Sequence, residues 1–283
     1  SWVYPLNFID FETSGMALPF TKGRKPYEQL AFQFSHHIVY EDGTVEHATE
    51  YLNAKVGEFP NFEFIRALKK ALEINNGSIF RYHNHENTIV NAIYMQLLSS
   101  DEEDKEELIS FIKLISHNTG KSAEKWCGDR DMIDLWKVVT DYYYDPYTKG
   151  SNSIKDVLPA ALNSSIFLQN KYQKELKDIN LTSKNFVGNQ IFLKFKDEKL
   201  INPYKLLPPL FDNWTQDEID NVISGLEGIS DGGAALTAYG KLQFEEISER
   251  ERGEIERALL KYCELDTLAM VMIYESWKDM INE

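Results

Sequence analysis

Apolar and polar positions along this chain repeat at two periods, and each change of period marks an element. The opening run Leu6-Asn7-Phe8-Ile9-Asp10-Phe11-Glu12-Thr13 reads as a strand. Alternation puts Leu6, Phe8, Asp10 and Glu12 on one face and Asn7, Ile9 and Phe11 on the other. Leu30 to Tyr40 and Val45 to Leu52 read as two further strands, joined by Glu41-Asp42-Gly43-Thr44, a hairpin signal in which glycine supplies positive φ. An antiparallel meander of three strands is therefore expected. His36 and His37 fall inside its second strand, where a structural role is expected of them.

The period then lengthens. Pro60 followed by Phe62, Phe64, Ile65, Leu68 and Leu72 has helical spacing, closed by Asn75-Asn76-Gly77. A fourth strand is expected over Ser78 to Tyr82, then a polar cluster, His83-Asn84-His85-Glu86-Asn87, then a helix through Ile89, Val90, Ile93, Tyr94 and Leu97. The acidic run Asp101 to Glu107 opens another helix through Ile109, Ile112 and Ile115, where negative charge suits the helix N-terminus. Asp131 to Trp136 reads as a short strand, Tyr142 to Pro146 as an aromatic patch serving core or base stacking, and Ser153 to Pro159 as a short helix. From Ile166 to Gly228 the organisation changes. A hairpin near Gly188 to Phe195, the turn Asn202-Pro203-Tyr204 and Pro208-Pro209 read as an inserted segment, with a capping box at Thr215 to Glu218 starting a helix to about Leu226. The last helix begins at a second capping box, Ser248 to Glu251, and carries Ile255, Leu259, Tyr262, Asp266, Ala269, Met270 and Ile273 on one stripe.

Against this pattern four acidic residues stand out. Asp10 and Glu12 sit where a strand would carry apolar residues, on the same face and roughly 6.5 Å apart, close enough to share one cation or a pair about 4 Å apart. Glu86 follows a strand's C-terminal end, where open sheets build sites and where it can approach Asp10 and Glu12; alternatively the segment only caps its helix through Asn84 or Asn87. Asp266 lies on the buried stripe of the last helix and so needs a cation, a strong donor or an arginine. Tyr262, four residues earlier on the same face, can hold a water beside the acids.

Composition narrows what these residues can do. The chain has 283 residues, 43% of them hydrophobic and 13% aromatic, enough for a sizeable core in one domain. A net charge of −15 and a pI near 4.9 argue against non-specific polyanion binding, so any nucleic-acid contact must use a local basic patch. The loop Thr21-Lys-Gly-Arg-Lys-Pro26 offers Lys22, Arg24 and Lys25 just after the acidic strand, with Arg81 nearby. The 2 cysteines, Cys127 and Cys263, have no metal-ligand spacing, which suits a reducing cytoplasm. Neither a membrane-spanning run nor a leader is visible, and the start at Ser1-Trp2-Val3-Tyr4-Pro5 suits a domain cut from a longer chain.

Asp-x-Glu on an early strand, an acid after a later strand, and Tyr-x-x-x-Asp on a C-terminal helix together resemble the DEDD 3′-to-5′ exonucleases of the ribonuclease-H-like fold. More closely, the chain resembles a bacterial family catalogued as a domain of unknown function and assigned to that superfamily. The likeness runs through Phe8 to Thr13, Pro26 with Phe32 to Ser35, Arg81-Tyr82 with His85 to Thr88, Tyr142 to Pro146, Gly150 to Pro159, Asn202 to Pro209, Asp231 to Gly233 and Tyr262 to Met270.

The resemblance implies an α/β fold: a ribonuclease-H-like mixed sheet, antiparallel over its first three strands and then parallel, flanked by helices, with the insertion at 166–228 before the C-terminal helices. It implies metal-ligating carboxylates at Asp10, Glu12 and Asp266, with Tyr262 as the water-orienting tyrosine. Where the superfamily carries Asp in an Asn-x-x-x-Asp setting, this chain offers Glu86, with Asn84 two residues before it. Four clustered carboxylates cannot all stay ionised without divalent cations, and all-oxygen ligands suit two Mg²⁺ or Mn²⁺ ions. The expected activity is metal-dependent hydrolysis of phosphodiester bonds in a single strand of DNA or RNA. The competing classes are an inactive nucleic-acid-binding or interaction module on the same fold, and a carboxylate-pair hydrolase such as a glycosidase.

Overall fold

Strand β1 (Leu6–Ser14) has apolar side chains on both faces, and it lies inside a six-stranded sheet. The computed structural model describes residues 2–120, 124–197, 199–207 and 233–282. In the sheet β1 pairs antiparallel with β2 (Leu30–Val39), which pairs antiparallel with β3 (Val45–Leu52). On its other side β1 runs parallel to β4 (Ile79–Arg81). Two short pairs, β5 (His117–Asn118) with β6 (Trp126–Cys127) and later β9 (Lys194–Lys196) with β10 (Lys199–Ile201), stand apart from this sheet. Strands β7 (Ile133–Asp134) and β8 (Leu181–Thr182) complete it, both in parallel pairs, and its order is β7-β4-β1-β2-β3-β8. It is thus a mixed sheet, with the antiparallel meander the pattern predicts.

Each face of β1 has its own helical layer. Ile9 and Phe11 pack with α1 (Asn61–Leu72), α2 (His85–Leu98) and α3 (Lys105–Ile115). A short α4 (Leu135–Tyr142) leads on to the other layer, where Leu6 and Phe8 pack with α5 (Ile154–Ser164), α6 (Ile166–Tyr172) and the last helix. Helix α7 (Gly233–Phe244) joins a smaller cluster around Phe32 and Tyr239, whose rings stack at 3.9 Å. The last helix, α8 (Glu249–Asn282), crosses β1, β2 and β3 and also packs on α5. Its start is capped as expected, the Ser248 hydroxyl accepting from the Glu251 amide at 3.2 Å. One close approach fixes the end of the sheet: a Cβ on Gly77 would lie 1.6 Å from the Pro5 carbonyl oxygen, so only glycine lets the turn before β4 meet the segment before β1.

Several elements differ from the pattern. The strand expected at Asp131 to Trp136 stops at Asp134, whose carboxylate caps α4 by accepting from the Trp136 amide at 3.0 Å. The hairpin expected at Gly188 to Phe195 forms later, as β9 and β10. Part of the segment read as an insertion joins the main fold: β8 extends the sheet, and Leu168, Tyr172, Phe192 and Leu193 enter the core under α8. The helix expected from Thr215 to Leu226, the Pro208-Pro209 pair and Asp231-Gly232 lie outside the described residues. The aromatic patch is divided, Tyr142 and Tyr144 being 86% and 87% exposed while Tyr143 packs on Trp277. Among the described residues no helix is long and apolar enough to cross a membrane.

Candidate metal centre

Asp10 and Glu12 occupy the last half of β1, opposite Ser35 and Gln33 of β2, just before a bulge between Glu12 and Thr13 ends the regular pairing. Their face turns to α8. There the Cys263 thiol packs 3.7 Å from the Asp10 carbonyl oxygen and 3.8 Å from Asp10 Oδ2. Ligand atoms of Asp10, Glu12 and Cys263 all lie within 4.8 Å of one another, a spacing that one cation can bridge. Asp266, one turn further along α8, is buried at 8% exposure, and Glu12 is equally enclosed.

Glu86 closes the group from the first turn of α2. It is 2% exposed, and its Oε2 has no hydrogen-bond partner among the described residues. The capping alternative is not realised by the asparagines: Asn84 sits at the N-cap position but its side chain donates to the Thr88 hydroxyl and caps no backbone amide, and Asn87 lies inside the helix, accepting from the His117 amide and donating to its carbonyl. Four acids feel one another's charge. Burial, then Asp266, Glu86 and Glu12, push the Asp10 carboxyl well above its ordinary range, opposed by the Cys263 thiol. Burial and Asp266 raise Glu12 likewise, while the Lys155 ammonium pulls it down. Glu86 is raised to about 8, chiefly by burial, with Arg81 opposing. Like charges held this way out of water favour protons or a divalent cation.

Two tyrosines and a lysine complete the surroundings. The Tyr204 hydroxyl, held protonated by burial and the neighbouring Asp266 charge, donates to Asp266 Oδ1 at 2.5 Å. Lys155 Nζ donates to the Tyr262 hydroxyl at 2.6 Å. At the edge, His85 Nε2 bonds the Thr13 hydroxyl at 2.9 Å. Lys155, Tyr204, Cys263 and His85 were not assigned roles from sequence. The segments carrying Lys155 and Tyr204 were legible as motifs, Ser153 to Pro159 and Asn202-Pro203-Tyr204, but no local period shows that they meet α8.

The expected basic residues fare differently. Arg81, expected to help guide a strand, is 3% exposed and its guanidinium pairs with Asp134 at 2.9 Å; it acts on Glu86 from inside. Arg24 lies flat on Phe59, 3.3 Å from the ring centroid, and pairs with Glu28. Lys22 and Lys25 are exposed.

Beside the acids is a second polar cluster. His47 Nδ1 lies 3.0 Å from Glu264, which also accepts from Ser183 and from the Asn185 amide, while Glu50 accepts from Asn185 at 2.6 Å. These bonds tie β3 and the chain after β8 to α8. His36 and His37 are structural, as expected: His36 spans Asn7 and Thr49, and His37 bonds Thr267 at 2.7 Å.

A sequence model described as a domain of unknown function, DUF2779, matches residues 7–153, taking in Asp10, Glu12 and Glu86. No curated protein and no solved structure matches the chain. The matched stretch covers more than half of the 283 residues, and the chain belongs to the DUF2779 family.

Proposed function

We propose that this chain is a divalent-metal-dependent nuclease of the DEDD type, a 3′-to-5′ exonuclease acting on single-stranded DNA or RNA. The observation that carries the reading is the convergence of Asp10 and Glu12 from β1, Glu86 from α2 and Asp266 from α8, with a buried Glu86 oxygen that has no partner among the described residues. That orphaned oxygen and the four carboxylates, beside a Cys263 thiol that burial and the neighbouring acids hold protonated, fit a hard divalent cation such as Mg²⁺ or Mn²⁺. The strand order β3-β2-β1-β4-β7 and the change from antiparallel to parallel at β1 support a ribonuclease-H-like sheet.

When bound by these four carboxylates, two cations would activate water and stabilise the leaving oxygen of a phosphodiester. The chain's own residues do the rest. Tyr262 stands beside the acids on α8, Tyr204 steadies Asp266, and Lys22 and Lys25 put positive charge on the loop that follows β1. The exposed, unpaired Cys127 suits a reducing compartment such as the cytoplasm. The test is cleavage of a 5′-labelled single strand with Mn²⁺ and with excess chelator. Products shortening stepwise from the 3′ end with Mn²⁺ alone are expected; an intact strand under both conditions would remove the nuclease assignment.

A further inference from the structure

A second cluster of metal-ligating side chains shares no residue with the four carboxylates. One ligand atom from each of His47 and Glu50 on β3 and Glu264 on α8 lies within 4.8 Å of the other two. Nitrogen and oxygen ligands bound at about 2.1 Å to one ion stand about 3 to 3.5 Å apart. His47 Nδ1 and Glu264 Oε2 already have that spacing, at 3.0 Å, and Glu50 Oε2 is 3.9 Å from the same ring.

The His47 ring distinguishes this cluster from an ordinary buried ion pair. His47 is 3% exposed, and its Nδ1 makes no hydrogen bond among the described residues although the Glu264 oxygen is so near. An imidazolium paired with that carboxylate would aim an N–H at the oxygen. The other nitrogen is engaged, Nε2 bonding the Ser35 hydroxyl at 3.1 Å, and the ring stacks on His37 with centroids 4.8 Å apart. A ligating imidazole is oriented in this way, through a partner on the nitrogen that does not bind the ion. Nδ1 is therefore the atom left to receive a ligand.

Glu264 has the matching need. It is fully buried, its bonds come from the Ser183 hydroxyl and the Asn185 amide, and among the described residues no lysine or arginine pairs with it. A carboxylate enclosed like this requires a positive partner. Glu50 accepts from the Asn185 side chain at 2.6 Å and keeps its own side chain 24% exposed, so water can reach the cluster and complete a coordination shell.

We propose that His47, Glu50 and Glu264 bind a zinc ion, which clamps β3 and the chain after β8 onto α8. One imidazole and two carboxylates favour Zn²⁺ over Mg²⁺, and the same ligands hold Mn²⁺ more weakly than Zn²⁺. The site does not depend on the nuclease reading, since none of its ligands belongs to the acidic centre.

The experiment is Zn²⁺ titration of the whole chain in excess Mg²⁺, with Asp10→Asn as background to weaken the acidic centre. That background is compared with the same chain carrying His47→Gln or Glu50→Gln. The background should bind Zn²⁺ and melt at a higher temperature with it, and each added substitution should weaken Zn²⁺ binding at least about tenfold. Co²⁺ in place of Zn²⁺ should give visible absorption that changes when His47 is replaced. Glu50 is partly exposed, so Glu50→Gln decides the matter if His47→Gln fails to fold. Absence of Zn²⁺ binding by the background, or unchanged Zn²⁺ affinity in Glu50→Gln, overturns the site and leaves His47 and Glu264 as a structural pair. Cleavage by the parent with Mn²⁺ is read separately, so failure here is distinct from failure of the nuclease reading.

Discussion

The Tyr204 hydroxyl donates a 2.5 Å hydrogen bond to Asp266 Oδ1, joining residues 62 apart in the chain. It anchors the turn Asn202 to Leu207 on α8 and holds one candidate ligand oxygen in place. In Tyr204→Phe the metal-free protein should lose about 2 kcal/mol of stability, the usual worth of a bond to a charged, enclosed group. With saturating Mn²⁺ the loss should shrink, because a bound cation then holds that carboxylate in place. Urea denaturation at pH 8 with and without Mn²⁺ checks this; equal losses in both would count against Asp266 as a ligand.

Glu86 gives a pH dependence with a definite sign. Its carboxyl is raised from 4.5 to about 8 in the folded chain, so between these values the native state holds a proton that the unfolded state has lost. Stability of the metal-free protein should therefore fall as pH rises, by at most about 1.4 kcal/mol per unit for each such group. Asp10 and Glu12 act in the same direction. His36 and His37, kept neutral by burial, pull the other way as pH rises toward their unfolded value of 6.5, so the clean window is pH 6.5 to 8. Denaturation across it should show a falling parent, a flatter Glu86→Gln, and the variant more stable than the parent at pH 8. A metal-free parent that grows more stable with pH across the window would show that the acids are not held as described.

The basic loop should contribute two charges to strand binding and not three. Lys22 and Lys25 are exposed, while Arg24 is stacked on Phe59 and paired with Glu28. Replacing Lys22 and Lys25 with Ala should flatten the salt dependence of single-strand affinity by about 1.4 in slope, at about 0.7 per phosphate contact. Adding Arg24→Ala should change that slope little further. A slope that stays at the parent's value in the double lysine variant would make the loop an ordinary solvated surface.

Much of this arrangement was legible in the chain. Period-two alternation places Asp10 and Glu12 on the face that meets α8, because Leu6 and Phe8 before them pack under that helix while Ile9 and Phe11 pack under α1 and α2. The stripe on the last helix likewise put Asp266 inside. The same stripe understates α8: Cys263 to Ser276 are buried on every side, since sheet, α5 and α6 surround that stretch. A period assumes one wet face and cannot signal a helix that has none there. Lys155 and Tyr204 could not be assigned because their roles arise from contacts with Tyr262 and Asp266, 107 and 62 residues away. The burial of Arg81 could not be read for a related reason, its partner Asp134 being 53 residues on.

Titration of Mn²⁺ into the parent, Asp10→Asn and Asp266→Asn at pH 8 tests the central claim most directly, since the Asn side chains keep the size of the acids and remove their charge. The parent should bind, and each variant should bind at least about tenfold more weakly while melting no lower than the parent without metal, because like-charge repulsion has been relieved. Equal Mn²⁺ affinity in the parent and both variants, or no binding by the parent, would contradict a metal centre built on Asp10, Glu12, Glu86 and Asp266.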